Sequence, residues 1–411
     1  MIHSLIHSLL RIPFIFCLTL LPLAAQAHGG HEHQPVKTAK KAALAIGAAF
    51  APDGALWVVG LNAQAHLELR ISRDDGHNWQ APRLLGTNGE AVAADGESRP
   101  KLAFGPHDQV VVAYTTPLAK PYTGAIRLLR STDAGLTFVA PVTVHHDRQI
   151  ITHRFESIAF DAQGRLHTVW VDKRDLELTK VAAVKSGGGK PTYRGAAIYH
   201  NVSADGGATF GPDTKVADYS CECCRIALTL TPDGQVAALW RHVFAPNIRD
   251  HAFTILRDAS ATSAPAKAPV RATFDNWAID ACPHHGPSLT PAAGGGYHAV
   301  WFGEKAGVAQ ARYGRLDQDG KPVGTVLALP DEQAEHADVL SAGKRLAIVW
   351  RSFDGSGSNL KAWISDDNGG HFTLKQLART TADNDQPHLL RKGAQLFVLW
   401  NTTGEFHVKA L

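Results

Sequence analysis

Apolar and polar positions alternate with a period of two along most of the chain, and they do so in seven recurring pairs of short runs. The pairs fall at residues 48–58, 102–114, 158–170, 228–240, 289–301, 339–350 and 389–400. Each consists of an apolar run, a tight turn such as Pro232-Asp233-Gly234 or Gln163-Gly164, and a second run closing at or beside an aromatic residue. A period of two between turn residues specifies β-strands, and no stretch shows the 3.6-residue period of an amphipathic helix. The pairs recur roughly every fifty to seventy residues, which leaves room for about four short strands per repeat. That is the spacing of β-propeller blades, so the expectation is an all-β propeller of four-stranded antiparallel blades, seven rather than six. The last unit, residues 386–411, has length for only three strands. A strand within residues 36–45 is expected to complete it and close the ring.

A second repeated element lies between these pairs. The pattern S-x-D-x-G-x-x-[WF] occurs at Ser72-Arg73-Asp74-Asp75-Gly76-His77-Asn78-Trp79 and again at residues 131–138, 203–210 and 365–372. Its logic is a turn in which the Asp accepts backbone N–H bonds, the Gly takes a positive φ and the aromatic tucks underneath. With these four motifs the chain resembles the sialidase-like superfamily, the BNR or Asp-box β-propellers, over about 365 residues. The repeats leave no place for a linker, so residues 46–411 read as one domain and residues 259–269 as a loop in the fourth blade. Trp57, Trp170, Trp240, Trp301, Trp350 and Trp400 recur at one point of the repeat and are expected to pack between blades.

The N-terminus reads differently. Arg11, an apolar run over residues 12–25 and the Ala25-Gln26-Ala27 site make residues 1–27 an export signal, which places the mature protein in the periplasm or outside the cell. Cleavage there exposes His28, with His31 and His33 close behind, in a His-rich tail over residues 28–45. The formal net charge of +3, with scattered basic residues, points to neither nucleic acid nor membrane insertion as a partner.

The chemistry concentrates in two segments, Cys221-Glu222-Cys223-Cys224 and Cys282-Pro283-His284-His285, which hold every cysteine beyond the export signal. Thiolates with imidazoles select soft and borderline transition metals. Cys221, Cys223, Cys224, Cys282, His284 and His285 are therefore the candidate metal ligands, with copper the expected ion and zinc the alternative. His28, His31, His33 and His153 are secondary candidates. Superimposing Leu230-Thr231-Pro232 on Leu289-Thr290-Pro291 sets Cys223 on Cys282, and the third unit brings His153 to the same place, so these side chains are expected to face one funnel. His336 and His388 would lie across it. By contrast, His145 and His146 read as an exposed loop, and His107, His167 and His298 as ordinary surface residues.

Two other readings stay open. The cysteines can instead form disulfides that staple blades of a binding scaffold. The family resemblance itself implies an exo-sialidase-like glycoside hydrolase, with three arginines for a carboxylate, a Tyr–Glu nucleophile pair and an Asp acid/base. Ser98-Arg99-Pro100, Arg154 and Arg225 offer arginines near strand heads, but no tyrosine heads a late inner strand. The favoured expectation is a binding protein for metal acquisition, delivery or tolerance, whose partners are the ion and a metal transporter or another periplasmic metal protein.

Overall fold

The computed structural model describes residues 43–185, 193, 195–257, 268–281 and 283–411. Seven antiparallel sheets follow one another along the chain. The first contains β1 (Gly47–Phe50), β2 (Leu56–Leu61), β3 (Leu67–Ser72) and β4 (Arg83–Leu84), and the second β5 (Lys101–Phe104), β6 (Val110–Pro117), β7 (Gly124–Ser131) and β8 (Val142–Thr143). The third is β9 (His153–Phe160), β10 (Leu166–Asp172), β11 (Ala196–Ser203) and β12 (Thr214–Ser220). The fourth is β13 (Ala227–Leu230), β14 (Val236–Arg241), β15 (His251–Ile255) and β16 (Val270–Arg271). The fifth is β17 (Ser288–Pro291), β18 (Tyr297–Lys305), β19 (Val308–Leu316) and β20 (Pro322–Ala328). The sixth is β21 (Glu335–Ala342), β22 (Arg345–Phe353), β23 (Ser358–Ser365) and β24 (Thr373–Thr380). The seventh has three strands among the described residues: β25 (His388–Lys392), β26 (Gln395–Thr402) and β27 (Glu405–Ala410).

This is a seven-bladed propeller, and the seven strand pairs read from the sequence are its inner hairpins. The first strands touch in cyclic order, β1 to β5 to β9 and onward to β25, which touches β1. The second strand of each blade is buried on both faces, and its two faces serve two neighbours. On β14, Val236, Ala238 and Trp240 pack with Val169 and Val171 of the third blade. Ala237 and Leu239 of the same strand pack with Ala299 and Trp301 of the fifth. Leu56 and Val58 pack with Phe397 and Leu399, which joins the last blade to the first. The repeating tryptophans lie in these interfaces, Trp170, Trp350 and Trp400 with no exposed surface at all. Burying a side chain of this size contributes roughly 1.5–3 kcal/mol or more.

The four S-x-D-x-G segments each follow a third strand and adopt one geometry. Ser72 Oγ accepts the Gly76 N–H at 2.8 Å and donates to Asp74 at 2.9 Å, while Asp74 accepts the Asn78 N–H at 2.8 Å. The same three bonds recur around Ser131, Ser203 and Ser365.

Two expectations need revising, and a third falls mostly outside the described residues. One helix, α1 (Arg174–Lys185), is inserted between β10 and β11. Asp172 caps it by accepting the Arg174 N–H at 2.8 Å, and it buries no residue, so it leaves no apolar stripe to read. Residues 43–46 form no strand, and the rest of 36–45 lies outside the described residues. These four residues still lie against the seventh blade, where Asn401 Nδ2 donates to the Leu44 carbonyl at 2.8 Å. Finally, Ala227 pairs with Leu239 and Ser288 with Val300. That register sets His284, not Cys282, in the place of Cys223; the shared Leu-Thr-Pro occupies different turn positions in the two blades.

A bidentate ion pair ties the ends of the ring. Arg99, just before β5, donates to Asp385, just before β25, at 2.7 and 3.0 Å, and both side chains are buried. Burial alone would push the Asp385 carboxyl up, but the Arg99 charge and His388 outweigh it and hold it at about 2. A depressed carboxylate stabilises the fold above its unfolded pKa of about 3.9, and that contribution is lost as pH falls through the folded value. Unfolding free energy measured by urea titration is expected to lose about 2 kcal/mol from this group between pH 4 and pH 2, of about 2.6 kcal/mol in all. Asp385→Ala, which strands a buried guanidinium, is expected to cost about 3–5 kcal/mol at pH 7.

Candidate metal centre

The three clustered cysteines lie on the link between β12 and β13, which crosses from the outer edge of the third blade to the axis. Both ends of the link are pinned. The Cys221 N–H donates to the Arg241 carbonyl at 3.0 Å, and the Val243 N–H to the Tyr219 carbonyl at 2.7 Å. At the other end the Arg225 N–H donates to Glu97 at 2.9 Å. A salt bridge from Lys173 holds the intervening Glu222 outward. Between these anchors Cys221, Cys223 and Cys224 are 1%, 5% and 3% exposed. They share an apolar cluster with Phe155, Val171, Ile226, Trp240 and Leu256. The site is thus set into the interface of blades three and four, not spread over an open funnel.

The sulfurs form a nearly equilateral triangle. Cys221 to Cys223 is 3.7 Å, Cys221 to Cys224 is 3.7 Å and Cys223 to Cys224 is 3.9 Å. A disulfide needs an S–S distance of about 2.05 Å, so no two of these three are bonded. Tetrahedral zinc with Zn–S of about 2.3 Å requires sulfurs about 3.8 Å apart. A smaller three-coordinate ion at the centre of the triangle would lie about 2.2 Å from each, within the range of soft metal–thiolate bonds. Hydrogen bonding with Cys221 and burial push the Cys224 thiol well up, while Cys223 and the Arg241 charge act the other way.

The surroundings hold a guanidinium and an imidazole. Arg249 Nη1 lies 3.7 Å from Cys221 Sγ. His251 is buried, with Nδ1 3.2 Å from Thr273 Oγ1 and Nε2 without a hydrogen bond. Burial first, then the Arg241 charge, push its pKa well down, leaving a neutral ring. None of Arg241, Arg249 and His251 carries a motif in the sequence; strand pairing and loop return bring them here.

The other predicted ligands fall as follows. Cys282, His28, His31 and His33 lie outside the described residues. His284 is exposed. His285 stacks between Phe302 and His336, each 4.4 Å away, with Nδ1 lacking a hydrogen bond. Burial and the His336 charge push it down to about 3. Among the described residues only the three cysteines bring ligand atoms within mutual reach of one ion. His153 sits apart, at the head of β9, fully buried and stacked 3.8 Å from His145. His145, His167 and His298 are likewise buried, against the surface placement expected of them. His167 meets Asp161 and His200, and His298 meets Tyr313 and Asn368, so polar partners from adjacent strands make their burial tolerable.

The strand heads around the axis carry an ion-pair network. Glu97 accepts from Arg225 at 3.3 Å and Gln386 at 3.1 Å, and lies 3.2 Å from His336 Nδ1. Burial opposes its ionisation, but Arg225 and His336 hold it well below the usual carboxylate range. The axial arginines are thereby engaged: Arg99 with Asp385, Arg225 with Glu97, and Arg154 3.5 Å from Asp95.

No protein-family model matches the chain, and no curated protein does. Solved structures do. An ulvan lyase of polysaccharide lyase family PL25, bound to -[GlcA(1-4)Rha3S]-, superposes with a TM-score of 0.54 at 12% identity, over 89% of this chain and 92% of that one. The GH93 α-L-arabinofuranosidase of Fusarium graminearum, in complex with arabinobiose, gives 0.50 at 13% identity, over 82% and 92%. At such identities the likeness is one of fold, and it defines the class: a seven-bladed β-propeller.

Thiol chemistry checks the burial. In metal-free native protein a disulfide reagent is expected to label Cys221, Cys223 and Cys224 at least roughly tenfold more slowly than in guanidinium, because thiols this buried are hard for the reagent to reach. Equal rates would mean that the sulfurs are open to solvent.

Proposed function

We propose that this propeller binds a thiophilic transition-metal ion on Cys221, Cys223 and Cys224, with copper as the ion. The role is acquisition, delivery or tolerance of the metal outside the cytoplasm. The sulfur triangle carries this reading: three buried thiols with edges of 3.7–3.9 Å present a ready trigonal donor set. A pre-arranged set of soft donors favours soft ions, and burial strengthens the preference by excluding water. The ion displaces thiol protons to solvent, so affinity rises with pH. His28, His31 and His33 form a second, weaker capture site in the tail. A metal transporter or another exported metal protein is the partner.

Two measurements test this. Purified protein loaded with Cu(I) under anaerobic conditions is expected to retain about one equivalent through desalting at micromolar chelator, with near-ultraviolet thiolate-to-copper absorption. Cys224→Ser, which removes one of three ligands, is expected to weaken binding by a hundredfold or more. Protein that carries two disulfides and takes up no metal would overturn the reading. Turnover of a fluorogenic sialoside would instead favour the hydrolase alternative.

A further inference from the structure

Among the described residues, two guanidinium groups buried beside the sulfurs have no carboxylate partner. Arg241 is 1% exposed and donates only to backbone carbonyls: Arg249 at 3.0 Å, His285 at 2.9 Å and Phe302 at 2.7 Å. Its guanidinium also lies 5.3 Å from the centre of the Trp277 ring. Arg249 is 9% exposed; Nη1 reaches Cys221 Sγ, and Nε has no hydrogen bond. The nearby carboxylates are engaged elsewhere. Asp250 pairs through Oδ2 with Arg271, while its buried Oδ1 has no hydrogen bond among the described residues; Glu222 pairs with Lys173, and Glu97 with Arg225 and His336. Asp275 accepts from Trp301 and faces Arg312, and the neutral His251 ring adds no charge.

Buried charges are expensive unless paired, and Arg cannot shed its proton. The groups beside these two cations that can become anions are the thiols. A disulfide between any two of them would lower the available negative charge and leave the cations uncompensated.

We propose that Arg241 and Arg249 are the counter-ions of a trithiolate on Cys221, Cys223 and Cys224, and that this pair selects a monovalent soft ion, Cu(I). The proposal rests on the metal reading of the same cysteines and adds the charge state. Three thiolates and a monovalent ion form a complex of charge minus two, which two guanidiniums neutralise. A divalent ion on the same ligands leaves one positive charge in excess, and a trivalent ion leaves two. The three sulfurs that the described residues bring together suffice for Cu(I), whereas Zn(II) calls for a fourth ligand. Binding replaces three S–H bonds by three S–Cu bonds and releases three protons to solvent. Copper enters and remains as Cu(I), so no electron moves.

The test is a graded one on the full mature chain. Affinities for Cu(I), Zn(II) and arsenite, whose As(III) trithiolate is neutral, are compared in wild type and Arg249→Gln by anaerobic chelator or dithiol competition. Loss of one charge-assisted contact is expected to weaken Cu(I) on the order of 100-fold, Zn(II) about tenfold and arsenite least. Arg249→Lys, which keeps the charge, is expected to hold Cu(I) within several-fold of wild type and preserve the order. Arg249→Met takes the place of the Gln variant if that does not fold. Equal losses for all three ligands overturn the charge assignment while leaving the metal site standing. So does a Zn(II) affinity exceeding that for Cu(I) that disappears with Cys282→Ser, since it would mean a divalent ion on four thiolates. Failure of wild type to bind any of the three overturns the underlying reading itself.

Discussion

The structure depends on one constraint: the second strand of every blade is apolar on both faces and cannot be satisfied by its own sheet. Val236, Ala238 and Trp240 need the third blade, while Ala237 and Leu239 need the fifth. Such strands stabilise only a closed ring, because an open array would leave two apolar faces in water. Leu56 and Val58 meeting Phe397 and Leu399 supply the closing interface. The buried Arg99–Asp385 pair links the heads of the second and seventh blades beside it.

Closure has a chemical consequence. It directs every inner-strand head toward one axis, where charged residues distant in sequence must compensate one another. Most do: Glu97 gathers Arg225, Gln386 and His336 from three blades. One step outward, between blades three and four, the accounting changes. Among the described residues, Arg249 reaches the Cys221 sulfur and Arg241 donates to backbone carbonyls, and neither pairs with a carboxylate. That imbalance separates the cysteine site from the rest of the network, and it makes the site's ionisation, not only its geometry, part of the fold's electrostatics.

Much of this was legible in the sequence, for identifiable reasons. Period-two alternation, glycine turns and a recurring tryptophan located all seven inner hairpins, since these signals are local. Cys-x-Cys-Cys pointed to its own clustering because three residues of link cannot spread far. Misreadings arose where the signal depended on context. The Leu-Thr-Pro match at residues 230–232 and 289–291 slipped the alignment by two positions, which period-two patterning cannot detect. His145, His167 and His298 looked like surface residues until neighbouring strands supplied their partners. The helix α1 went unseen because it buries nothing.

The sequence by itself determined the blade count, the strand pairs and the presence of a sulfur-rich segment, because strand periodicity and short-range spacing are properties of neighbouring residues. Tertiary structure alone decided that the sulfurs form a triangle within an apolar interface. It also decided that His285 stacks on His336, and that Arg241 and Arg249 stand beside the thiols. Those facts follow from ring closure, which juxtaposes residues by their place around an axis and not by their distance along the chain.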